Sequence, residues 1–116
     1  MTGWVTNMGV SEIRKTKKYK AIRASLLDQL ERSGNDTPHF KDLVDDYMKM
    51  YEIKELAYQD VKERGTTVEW QNSETQWGYK KNDSVDQVLK TNQQMIKLLD
   101  KLGIEPDAVI EDDEEM

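Results

Sequence analysis

Apolar positions along this chain fall into three helical stripes and one alternating stretch. Between residues 11 and 33, Tyr19, Ile22, Leu26 and Leu30 recur at i, i+3, i+7 and i+11, which is one face of a helix. Ser11 is placed to cap this helix and Gly34 to end it in a left-handed conformation, with Gly34-Asn35-Asp36 as the turn. Thr37-Pro38 opens a second helix, a hydroxyl cap followed by proline at the first helical position. That helix runs to Arg64 and stops at Gly65. Phe40, Leu43, Val44, Tyr47, Tyr51, Tyr58 and Val61 form its stripe, widened by Met48, Met50 and Ile53. At 1.5 Å per residue it is roughly 40 Å long. That length suits a packing element shared between subunits.

From residue 66 to 81 the period changes. Val68 and Trp70 alternate with polar neighbours, and after Asn72-Ser73-Glu74 so do Thr75, Trp77 and Tyr79. This predicts a β-hairpin with Trp and Tyr on one face. A lone hairpin is marginal in water, so that face is expected to lie on the helices or on a neighbouring subunit. Asn82-Asp83-Ser84 offers caps for a third helix to Leu102, with Val85, Val88, Leu89, Met95, Ile96, Leu99 and Leu102 on its stripe and Asn92 in the middle of it. Gly103 ends it and Pro106 prevents resumption. The fold class expected is mainly α with one β-hairpin: three helices, with the hairpin between the second and third. Residues 1–10, aperiodic and with two glycines, read as a flexible arm. Residues 11–105 form the helical domain and residues 106–116 an acidic tail.

Composition sharpens this picture. Leu, Ile, Val and Phe make up 24 of 116 residues, about 21%, just above the rough 20% below which chains tend to disorder. The core is therefore thin, and thin cores are rescued by disulfides, metals or oligomerisation. There are no cysteines and one histidine, so oligomerisation is the remaining route. The longest apolar run is three residues, far from the roughly 20 of a spanning helix. The first ten residues carry no positive charge and do not resemble a secretory signal. A soluble cytoplasmic protein is the default.

Net charge is −6, but the layout is uneven: residues 1–32 carry +4 and residues 106–116 carry −6. Such asymmetry suggests separate partners for the two ends. At the front, Arg14, Lys15, Lys17, Lys18, Lys20 and Arg23 place six cations in ten residues. Phosphate binding needs cations spaced along a backbone, and flexible lysines predict affinity more than base reading. The same cluster also reads as the wet face of a surface helix. Trp70, Trp77 and Tyr79, followed by Lys80 and Lys81, read either as core or subunit-interface residues or as a base-stacking surface. Asn92 either fixes register between subunits or points outward at the stripe's edge. The tail acids Glu111, Asp112, Asp113, Glu114 and Glu115 either dock on a basic partner or keep the chain soluble.

Catalytic chemistry is not indicated. Phosphate-loop and dinucleotide glycine spacings are missing. The only imidazole, His39, sits in the first turn of the second helix beside an aromatic. Carboxylates are plentiful, but the adjacent pairs Asp45/Asp46 and Asp112/Asp113 lie on solvated segments, with no sign of a pocket to separate their pKa values. The sequence calls for no cofactor and no metal.

Several runs resemble the bacteriophage terminase small subunit: Leu43-Val44-Asp45-Asp46-Tyr47, Ile53-Lys54-Glu55-Leu56 and Lys62-Glu63-Arg64-Gly65-Thr66-Thr67-Val68. So do Lys81-Asn82-Asp83-Ser84-Val85, Leu89-Lys90-Thr91-Asn92-Gln93-Gln94-Met95 and Leu98-Leu99-Asp100-Lys101-Leu102-Gly103-Ile104. The resemblance covers roughly residues 20–106 and leaves out the arm and the tail. It implies a ring-shaped homo-oligomer in the host cytoplasm that binds double-stranded viral DNA and recruits and regulates an ATPase-nuclease large subunit. Residues 1–36 are too short for the helix-turn-helix domain many such proteins carry, so DNA contact would fall to the basic helix. Tyr47, Tyr51, Trp70, Trp77, Tyr79 and Asn92 would then be oligomer-interface residues, and the acidic tail the large-subunit contact. Two other readings are a dimeric DNA-binding regulator, separated by subunit count, and an assembly factor without a DNA role, separated by salt-dependent DNA binding.

Overall fold

Thr16 divides the first predicted helix in two. Its backbone is extended, and its hydroxyl accepts from Tyr19 N (3.2 Å) and donates to Ile13 O (2.8 Å), which makes it the cap of the helix starting at Lys17. A threonine side chain that satisfies a helix's free N–H favours such a break over continuation. The computed structural model, which describes residues 9–104, therefore has four helices rather than three. They are α1 (Val10–Arg14), α2 (Lys17–Arg32), α3 (Pro38–Arg64) and α4 (Asp83–Leu102), with strands β1 (Thr67–Gln71) and β2 (Trp77–Lys81) between α3 and α4. Gly9, with its N–H bonded to Glu12 Oε1, caps α1 in place of Ser11, so Val10 is helical rather than part of an arm. The rest of the predicted arm and the acidic tail lie outside the described residues.

The other boundaries obey the local chemistry. Pro38 starts α3, and Asn82 caps α4 by accepting from Ser84 N. Gly65 (φ 84°) and Gly103 (φ 70°) end α3 and α4 in backbone regions that a side chain would strain.

Packing is uneven along the length. At one end α2, α3 and α4 close around Leu26, Leu30, Val44, Met48 and Leu102, with Tyr19, Ile22, Leu27, Phe40, Leu43, Leu99 and Ile104 around them. Midway along α3 a second cluster of Ile13, Tyr51 and Met95 seats α1. Beyond it, only α3 and α4 continue side by side, and the hairpin comes after them. The strands pair with each other but touch the helices only marginally, so the hairpin does not rest on the bundle. The resulting shape is elongated, 61 × 30 × 27 Å.

The hairpin register corrects the predicted face. Trp70 is opposite Gly78, and Gln71 opposite Trp77. Paired residues share a face and neighbours alternate, so Trp70 lies on one face and Trp77 and Tyr79 on the other. Trp70 lies over Gly78, where an added Cβ would come within 3.1 Å of its Nε1.

Candidate functional site

The six predicted cations gather where α1 meets α2, but they are not equivalent. Arg14 is tied to its own chain at the surface: its Nε donates to Glu52 Oε2 (2.8 Å) and its terminal nitrogen to Glu52 Oε1 (3.2 Å). Tyr19 Oη adds a third donor to Glu52 at 3.0 Å. Arg14's hydrogen bond holds the Glu52 carboxyl below the usual carboxylate range despite its burial. Arg23 lies 3.8 Å from Asp45. Lys15, Lys17, Lys18 and Lys20 are exposed and have no ion-pair partner among the described residues. The corner thus offers four free lysines, with Lys17, Lys18 and Lys20 in the first turn of α2, where the helix dipole also favours anions.

The predicted interface residues divide as well. Tyr51 is buried in its own chain, edge-on to Tyr19 at 5.8 Å, so it offers no surface to a neighbour. Tyr47 is half-buried between the two clusters, and burial raises its hydroxyl pKa. The hairpin aromatics are open to solvent: Trp77 is 54% and Tyr79 68% exposed, their rings edge to face at 6.0 Å. Trp70 is exposed on the opposite face. Asn92 is exposed and accepts from Lys54 Nζ at 3.3 Å. It lies between Leu89 and Ile96, both exposed, on an outer face of α4. Val88, Thr91, Met95 and Leu102 form a second, inward row. The single predicted stripe is therefore two stripes.

The seven exposed large hydrophobics among the described residues are Ile53, Tyr58, Trp70, Trp77, Tyr79, Leu89 and Ile96. None belongs to α1 or α2. The hairpin lysines, by contrast, are neutralised locally, Lys81 by Asp86 (2.9 Å) and Lys80 by Asp83 (3.9 Å).

Two polar networks escaped the sequence reading. One is the Arg14–Glu52–Tyr19 cluster. Its signal is that Val44, Met48 and Glu52 continue one i, i+4 row on α3, so a carboxylate occupies a core position. The other locks the hairpin's base. Asn82, 0% exposed, donates from Nδ2 to Gly65 O (2.9 Å) while its Oδ1 accepts from Ser84 N and Arg64. Arg64 also grips Asp60 through two hydrogen bonds (2.7 and 2.9 Å), and Ser84 Oγ donates to Asp60 at 2.7 Å. Asn82 was legible as a cap, but its reach back to Gly65 depends on the fold.

Among the described residues no group of histidines and carboxylates is placed to hold a metal, and no helix is long and apolar enough to cross a membrane. His39 is exposed and stacks on Phe40 at 5.0 Å. No curated protein and no solved structure matches the chain. A family model described as phage terminase, small subunit, matches residues 20–109. The chain therefore belongs to the phage terminase small-subunit family, the non-catalytic partner of the large subunit in DNA packaging.

Proposed function

We propose that copies of this chain assemble into a ring, bind double-stranded viral DNA through the α1–α2 corner, and recruit and regulate the terminase large subunit. The observation that carries the DNA reading is that Lys15, Lys17, Lys18 and Lys20 stand exposed without ion-pair partners among the described residues, while Lys80 and Lys81 are paired. Free lysines that neutralise DNA phosphates release the counterions condensed on them, and repeated copies around a ring add by avidity. Assembly is supported by the apolar surface that the α3–α4 arm and the hairpin leave in water. Exposed patches of this kind commonly mark protein interfaces. The acidic tail, Glu111 to Glu115 by number, is the large-subunit contact in this reading: it repels DNA, and a motor that grips DNA presents basic surface.

The test is to replace Lys17, Lys18 and Lys20 together by Glu. Binding to double-stranded DNA should be lost, and wild-type affinity should fall with salt with a log–log slope of about −0.9 per phosphate neutralised. Undiminished binding by the triple variant sinks the assignment of DNA to this corner.

A further inference from the structure

Among the described residues Glu52 is the only buried charged side chain, 5% exposed. Its position relative to the lysine corner is specific. Helix α1 has five residues, far fewer than the roughly 12–15 an isolated helix needs in water. It is helical because it is docked, by Ile13 in the cluster with Tyr51 and Met95, and by Arg14 on Glu52. Tyr19, in the first turn of α2, reaches the same carboxylate. One side chain of α3 therefore takes donors from both sides of the break at Thr16, and Lys15 and Lys17 flank that break.

We propose that Glu52 is a positioning residue for DNA binding: by gripping Arg14 and Tyr19 it fixes α1 against α2, so that Lys15, Lys17 and Lys18 meet the phosphate backbone as a set group. The proposal rests on DNA binding at the α1–α2 corner. It also gives Arg14 a different role from the phosphate contact its place in the basic cluster suggests, because its charge is already matched by Glu52, to which it donates twice. Cations whose backbone is already fixed lose less backbone freedom on binding, and this difference is the gain from positioning.

Charge counting and positioning predict opposite outcomes for Glu52→Gln. The variant is one unit more positive and releases Arg14, so charge alone predicts tighter DNA binding. Positioning predicts weaker binding. The experiment measures binding of a short DNA duplex across a salt series, together with amide exchange, for the wild type, Glu52→Gln and Arg14→Gln. The expected result is lost protection in α1 with α3 and α4 still protected. Affinity should fall several-fold, with a salt slope shallower by about 2 as two or so phosphate contacts are lost. Arg14→Gln, altered at a side chain more than half exposed, should do the same and covers the case in which Glu52→Gln does not fold. The swapped pair, Arg14→Glu with Glu52→Arg, should restore both α1 protection and affinity at unchanged net charge. A wild type that does not bind DNA overturns the DNA reading and this proposal together. A wild type that binds, beside variants that bind as tightly or whose α1 stays protected, overturns the positioning role alone.

Discussion

The two ends of this molecule use the same kinds of side chain differently. At the closed end three helices surround Leu30, Val44 and Leu102, and their side chains are removed from water. At the other end two helices and a hairpin carry Tyr58, Leu89, Trp77 and Tyr79 in solvent. The third helix makes the difference: the two-helix arm has an outer side that nothing among the described residues covers. The closed end holds most of the buried core, and the hairpin is joined to the arm by polar contacts at its base. Mutations at the two ends should therefore change different observables.

The largest effect should come from the closed end. Leu30→Ala empties a fully buried site and should cost about 2–5 kcal/mol of global stability in a denaturant titration. A loss below about 1 kcal/mol, the range of surface substitutions or slightly above it, would mean the closed end is not the main core.

Next is the hairpin base. Asn82→Ala strands the Gly65 carbonyl and the Ser84 N–H, which should cost about 1–3 kcal/mol. Amide exchange should speed up in β1, β2 and the first turn of α4 while Leu26 and Leu30 keep their protection. Uniform loosening would merge the two regions into one cooperative unit. Acid should act at the same place. Hydrogen bonds from Arg64 and Ser84 hold Asp60 well below the usual carboxylate range. A carboxylate depressed in the fold contributes fully above its unfolded pKa of about 4, and that contribution is lost as pH falls toward the folded value. Glu52 is depressed in the same sense. Asp60→Asn should therefore flatten the acid limb of stability at the hairpin base and leave the neutral limb without a pH trend.

The smallest effect on the single chain belongs to the exposed aromatics. Trp77→Ser with Tyr79→Ser should leave monomer stability within about 0.5 kcal/mol while lowering the mass of the proposed assembly in sedimentation. Unchanged mass would remove this face of the hairpin from the interface.

What the sequence made legible tracks how local each cause is. Pro38, Gly65, Asn82 and Gly103 act on neighbouring backbone, and the ends of α3 and α4 fall where they predict. Alternation at Trp77 and Tyr79 gave the hairpin. The break at Thr16 was missed because the apolar spacing from Tyr19 to Leu30 continues smoothly on its far side, and only the hydroxyl's hydrogen bonds reveal the cap. The face of Trp70 depends on cross-strand register, which alternation within one strand does not contain. At the candidate site the cluster of cations was visible as a block. The separation of Arg14 from the free lysines required Glu52, 38 positions away along the chain.

Helix α3 has a mechanical consequence. Pro38 is the first of its 27 residues, and none of those that follow is a proline or a glycine, so it lacks the usual causes of a kink. Glu52 joins it to α1, and Asp60 and Arg64 join its far end to the hairpin base through Asn82 and Ser84. A stiff rod of about 40 Å that tilts by about 5° moves its tip by roughly 3.5 Å, close to one residue's rise along a strand. A tilt of that size at the closed end would therefore carry the hairpin by about one residue's rise, because the polar contacts of Asp60, Arg64, Asn82 and Ser84 tie its base to the rod.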